Sequence, residues 1–107
     1  MRRGDLVTTA LVGDYGKPRP ALVIQSNLFD AHPSVTILPV TSDLREVPLF
    51  RVRLEPSAEN GLLHASDVMV DKATTVAREK IGRRIGRLDD SEMVAVNRLL
   101  AVFLGIA

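Results

Sequence analysis

Arg19 stands between two prolines in the run Gly16-Lys17-Pro18-Arg19-Pro20-Ala21-Leu22-Val23-Ile24-Gln25-Ser26-Asn27. Each proline fixes its own φ and biases the residue before it toward extended backbone. The guanidinium is therefore carried on a stiff segment just ahead of a strand that Leu22, Val23 and Ile24 anchor in a core. A planar fork of donors mounted at the mouth of a sheet matches phosphate oxygens. The plain alternative is a solvated cation on a loop ended by prolines. Little other chemistry is on offer. The chain has no cysteine, which excludes disulfides and thiolate metal sites. Its two histidines, His32 and His64, exclude a histidine-rich metal centre and match no motif. No metal and no cofactor are expected.

The elements that must hold Arg19 read as short strands followed by one helix. Leu6 to Val12 favours strand and runs into Gly13-Asp14-Tyr15-Gly16, a plausible hairpin loop. Pro20 to Gln25 is a second strand, apolar enough to be buried on both faces. A polar connection follows, with a turn of helix at Leu28 to Ala31. Val35 to Val40 is the third strand, with Pro39 near its end, where a lost donor is tolerable. In Phe50 to Leu54, Phe50, Val52 and Leu54 alternate with Arg51 and Arg53. Asn60-Gly61 marks a turn. Val68 to Val70 and Thr74 to Ala77 are further strands, and the glycines of Lys80 to Leu88 predict a kinked or bulged one. Asp89 with Glu92 three residues on is a carboxylate capping box that opens a helix. Met93, Val96, Leu100, Phe103 and Leu104 form its apolar stripe, widened by Leu99 and Val102, and Gly105 ends it. So wide a stripe on a small chain predicts core packing with part of it given to a dimer contact.

Composition fits a single domain over residues 1–107. Hydrophobic residues make up 46%, enough for a core and too many for a disordered chain. No apolar stretch resembles a signal peptide, and none approaches the roughly 18 residues of a membrane span, so a cytoplasmic protein with no membrane partner is expected. The net charge is +1, from 14 basic and 13 acidic residues, so any nucleic-acid site must be a local patch.

Blocks along the chain resemble the MazF/PemK (Kid-like) toxin family. Arg3-Gly4-Asp5-Leu6-Val7 is similar to the family's opening strand. Arg19-Pro20-Ala21-Leu22-Val23-Ile24-Gln25-Ser26 resembles its "RPALVIQ" strand, and Pro39-Val40-Thr41-Ser42 its "P-[IV]-T-S" strand end. Gly61-Leu62, then Ser66-Asp67-Val68-Met69-Val70-Asp71, resemble its middle segment. Ile81-Gly82-Arg83-Arg84-Ile85-Gly86-Arg87-Leu88, then Met93, resemble its ending. The blocks come in family order and cover nearly the whole chain. The resemblance implies a mainly β fold with a C-terminal helix, a small SH3-like antiparallel β-barrel that forms a homodimer. It implies the toxin of a type II toxin–antitoxin pair, an endoribonuclease that cuts single-stranded RNA at short motifs without a metal. In that reaction the 2′-hydroxyl attacks phosphorus, leaving a 2′,3′-cyclic phosphate and a 5′-hydroxyl.

Arg19 then matches the family's catalytic arginine and suits the developing phosphorane charge. Thr41 matches its catalytic threonine; a hydroxyl can donate to a phosphoryl oxygen but is a poor base. Asp71 matches an acidic position that some members use as base or substrate contact, and also reads as a turn or pairing residue. Those members carry an arginine two residues earlier, where this chain has Met69. For RNA binding, Ser42 faces away from Thr41 if the strand continues and joins it if the strand has ended. Tyr15, in a loop shorter than is common in the family, either stacks on a base or packs. Lys17 and the Arg51/Arg53 face either track the RNA backbone or are solvated.

Two other functions compete with cleavage. One is a gyrase poison of the CcdB type, resembled in the Gly105-Ile106-Ala107 ending, though Leu104 stands where that family has a Trp. The other is a barrel without catalysis that binds only antitoxin or nucleic acid. The implied partner is an antitoxin whose flexible, acidic tail would suit Lys17, Arg19 and Arg53. Any DNA contact would come through that antitoxin.

Overall fold

The computed structural model describes residues 1–10 and 17–107. Seven strands run β1 (Asp5–Thr9), β2 (Arg19–Val23), β3 (Ser34–Thr41), β4 (Arg51–Leu54), β5 (Ser66–Met69), β6 (Thr74–Ala77) and β7 (Ile81–Arg87). Helix α1 (Asp90–Leu104) follows. The expected end of the first strand at Leu11 and Val12, and the loop with Tyr15, lie outside the described residues.

All recorded pairings are antiparallel, along the path β4-β5-β3-β2-β1-β7. β3 is the hub. It pairs with β2 along one edge, and on the other with β6 over Ser34 to Ile37 and then β5 over Val40 and Thr41. Pro39 falls in the gap between those two ladders, where its missing N–H costs no pairing. The terminal strands β4 and β7 are not paired with each other among the described residues, so the expected barrel is a curled sheet left open.

The central strands bury both faces, as the apolar run through Leu22 predicts. Leu6, Leu22, Leu38, Val40, Val68 and Val96 lie in one cluster, and Val7, Ala21, Val23, Val35 and Ile37 in another. Period-2 alternation splits each strand between the two. α1 closes the first cluster. Asp89 accepts the Glu92 amide at 2.7 Å, and Glu92 Oε1 accepts the Asp89 amide at 2.9 Å. Those amide and Ser91 hydroxyl hydrogen bonds hold the Asp89 carboxyl below its ordinary pKa. Gly105 takes φ 75°, and the Ile106 amide reaches the Ala101 carbonyl at 2.9 Å, a Schellman ending. Only the first half of the stripe is covered. Val96 is buried and Met93, Leu99 and Leu100 pack on the cluster, while Val102, Phe103 and Leu104 are exposed.

Strand ends shift by a residue or two from the sequence reading, as where β2 stops at Val23 rather than Gln25, and two differences are changes of element type. The expected strand through Val70 ends at Met69, because Val70 begins a 3-10 turn over Val70–Lys72. The helical turn expected at Leu28 to Ala31 is a 3-10 turn at Asn27–Phe29, opened by Ser26 Oγ accepting the Leu28 amide. The kinked glycine strand is as predicted: β7 pairs with β1 through register shifts around Val7. Asn60-Gly61 does turn the chain. Buried Asn60 accepts the Ser57 and Leu62 amides and donates to the Glu55 carbonyl, and Gly61 follows with φ 67°.

Candidate active site

The site grows out of the open ends of β2 and β3. Their register runs from Val23 with Ile37 to Ala21 with Pro39, and beyond that last pair Arg19 opens β2, paired with Thr9 of β1, while Thr41 closes β3. Arg19 and Thr41 line an open groove of about 1320 Å³. Ser42 lines it as well, because β3 ends at Thr41 and the chain bends there, so the alternative in which the strand has ended is the one observed. His64, Lys72, Lys80 and Arg83 also line it. Asp43 is the one carboxylate among the described lining residues, against four Lys and Arg side chains. The lining therefore favours an anion.

Behind the groove lies a buried charge network. Thr41 pairs across the sheet with Asp67, whose side chain is 1% exposed. Asp67 Oδ1 accepts Arg53 Nε at 2.6 Å; its Oδ2 accepts Arg51 Nη1 at 3.1 Å and the Arg45 amide at 2.9 Å. Arg51 Nη1 also donates to the Asp43 carbonyl at 2.8 Å, and the Asp43 amide donates to Thr41 Oγ1 at 3.1 Å. Burial by itself would raise the Asp67 pKa, but the hydrogen bonds from Arg53, the Arg45 amide and Arg51 outweigh it and hold the carboxyl below its ordinary value. The same contact with Asp67, then that with Glu46, raises the Arg53 guanidinium.

The sign of the pH effect follows. A carboxylate depressed in the fold stabilises it fully above the ordinary value near pH 4, and that contribution is lost as pH falls through the folded value. Melting temperatures followed from about pH 7 to pH 2 are expected to fall steeply only in the acid limb. Asp67→Asn should flatten that limb, and an unchanged acid slope would remove Asp67 as its source.

A model of the PemK-like, MazF-like toxins of type II toxin–antitoxin systems matches residues 2–104. The chain belongs to this family. It is 51% identical over 108 residues to a protein of Mycolicibacterium smegmatis named a probable endoribonuclease MazF, covering 100% of this chain and 99% of that one. The solved Mycobacterium tuberculosis toxin MazF-mt6 superposes with a TM-score of 0.82 at 26% identity, over 96% of this chain and 98% of that one. A mycobacterial endoribonuclease solved with its cognate antitoxin shares the fold, with a TM-score of 0.84 at 24% identity over 100% and 97% of the two chains.

Set on this MazF/PemK-like framework, the residues expected from sequence divide. Arg19, Thr41 and Ser42 come together in the groove. Lys17 is exposed beside Pro18 at its rim, and Tyr15 lies outside the described residues. Arg53 does not line the groove: Asp67 and Glu46 hold it instead. Asp71 does not line it either. It sits in the 3-10 turn after β5, with Oδ2 3.6 Å from Lys72 Nζ and Oδ1 buried without a hydrogen-bond partner. Met69 lines the groove where an acid/base arginine was noted as missing. Sequence reading missed the rest of the cationic lining. Of the three arginines of β7, Arg84 and Arg87 face buried Asp5 at 3.2 and 3.8 Å, which leaves Arg83 to the groove. The spacing of that run offers no sign of which arginine pairs with Asp5.

Proposed function

We propose that this chain is the toxin of a type II toxin–antitoxin system and acts as an endoribonuclease on single-stranded RNA, cutting at short motifs without a metal. The observation that carries the reading is that Arg19, Thr41 and Ser42 line one cationic groove. The RNA 2′-oxygen forms a bond to phosphorus, and the bond to the 5′-oxygen breaks. The 2′-proton is given up and the leaving 5′-oxygen gains one, which yields a cyclic phosphate and a 5′-hydroxyl. Arg19 holds the charge gathering on the non-bridging oxygens, and Thr41 donates to one of them. Lys72, Lys80 and Arg83 track the flanking phosphates. Asp71, outside the groove, is not needed for this scheme.

The test is cleavage of a mixed single-stranded RNA in EDTA, wild type against Arg19→Ala, with end-group analysis. Cyclic phosphate ends lost in the variant are expected. No cutting by folded, antitoxin-free protein would overturn the reading in favour of binding alone or of gyrase.

The partner in this reading is an antitoxin whose acidic tail occupies the same groove. Tail and RNA are expected to compete, with affinities that fall as salt rises. Simultaneous occupancy would rule this out. The working unit is a homodimer that covers the exposed Val102, Phe103, Leu104 and Ile106 at the end of α1. Sedimentation is expected to give twice the 11.7 kDa chain mass, and Phe103→Glu to shift it toward one. A Phe103→Glu protein that stays dimeric would place the interface elsewhere.

A further inference from the structure

We propose that Asp67 is a positioning residue for Thr41: through Arg51 and the Asp43 backbone it fixes which way the Thr41 hydroxyl donates. The inference rests on the reading of Thr41 as a donor to the scissile phosphate. A threonine hydroxyl has one proton and two acceptor positions, and it rotates to suit its surroundings. Here one acceptor position is filled by the Asp43 amide at 3.1 Å. The proton cannot point along that direction, so it is left to the others, and no described residue accepts it. Thr41 lines the groove, where the acceptor a substrate brings is a phosphoryl oxygen.

The Asp43 amide is in turn held in place. Arg51 Nη1 has two N–H bonds, and the structure uses both: one to the Asp43 carbonyl at 2.8 Å, one to Asp67 Oδ2 at 3.1 Å. The same Oδ2 takes the Arg45 amide at 2.9 Å, which pins the other side of Asp43. Arg51 and Asp67 are both nearly buried, at 11% and 1% side-chain exposure, so water competes little for these bonds. Asp67 also lies directly across the sheet from Thr41. The carboxylate thus secures the bend that carries Thr41, Ser42 and Asp43 from beneath, without reaching the groove itself.

The test is a double-mutant cycle on the full-length protein, with kcat and KM measured separately on one RNA. Asp67→Asn keeps the shape and removes the charge. It is expected to lower kcat by about 10- to 100-fold, the scale of a misplaced catalytic group, with KM changed by less than about threefold. On a Thr41→Val background the same substitution is expected to lower kcat by less than about twofold, because the group it positions is gone. Equal losses on both backgrounds would mean a purely structural role and would overturn the proposal. Wild-type cleavage lost in Thr41→Val secures the underlying reading; undiminished kcat in Asp67→Asn then overturns the positioning role alone. A Thr41→Val protein that cuts at the wild-type rate overturns both. If Asp67→Asn does not fold, Arg51→Met leaves the Arg53–Asp67 pair in place and removes only the clip on Asp43. It is expected to show the same fall in kcat, and an unchanged kcat there would overturn the proposal.

Discussion

Arg19→Ala is expected to lower kcat for RNA cleavage by about 10²–10³, with little change in melting temperature. Arg19 is exposed, and no described residue forms an ion pair with it, so its removal takes no packing from the core. What it removes is a fork of donors where charge develops on phosphorus. Pro18 and Pro20 hold that fork on extended backbone, in the groove that Thr41 also lines. Such an arrangement costs no reorganisation at the moment of reaction, which is why its loss falls on kcat. Arg19→Lys separates charge from geometry. The ammonium restores a point charge but not the bidentate fork, so it should recover only part of the rate. Full recovery with lysine would show that charge alone matters. An Arg19→Ala protein that cuts at the wild-type rate would move the chemistry elsewhere.

Gly86→Ala is expected to cost a large part of the stability. A Cβ on Gly86 would lie 2.3 Å from the carbonyl carbon and oxygen of Asn60 and 2.4 Å from the Glu59 carbonyl oxygen. These are backbone atoms, so no rotamer change relieves the clash. The Asn60 side chain ties the loop at three points, and the Arg87 amide binds the Glu59 carbonyl at 2.9 Å. The loop must lift off β7 or the strand must shift, at a cost of about 3 kcal/mol. For a chain of this size that lowers the melting temperature by roughly 10–20 °C. Gly105→Ala is the control. Its Cβ would meet nothing within 4 Å, but φ is 75°, so only the left-handed backbone penalises it, by about 1 kcal/mol. Calorimetry of the two proteins separates the effects. Equal shifts would mean that the loop yields easily.

The fold was legible wherever a pattern is local. The capping box at Asp89 and the glycine at 105 mark both ends of α1 because caps are set by residues three or four apart. The apolar run at Ala21 to Val23 betrayed burial on two faces for a similar reason. That Arg19 and Thr41 lie at strand ends was legible because prolines flank the first and the apolar run of β3 stops at the second. What failed was decided across the sheet. Arg53 alternates with Val52 and Leu54, but alternation cannot reveal that Asp67, from another strand, captures its guanidinium. Asp71 lies off the groove lining because the 3-10 turn over Val70–Lys72 breaks the period-2 rule just after β5. His64, Lys80 and Arg83 meet only once β7 has paired with β1, so nothing near them in sequence points to a shared groove.

That last pairing has a consequence in time. Among the described residues β7 is the last strand and pairs with β1, the first. Arg83 therefore reaches the groove only once β7 has paired with β1. Sheets built from such distant pairings form slowly, because loop closure precedes any gain from contact. Until that pairing forms, Arg19 and Thr41 lack the lining that Lys80 and Arg83 supply. The groove's cationic lining is thus completed by the most distant pairing in the sheet, and unfolding that begins by peeling β7 from β1 would remove Arg83 from the groove while leaving Arg19 and Thr41 on their strands.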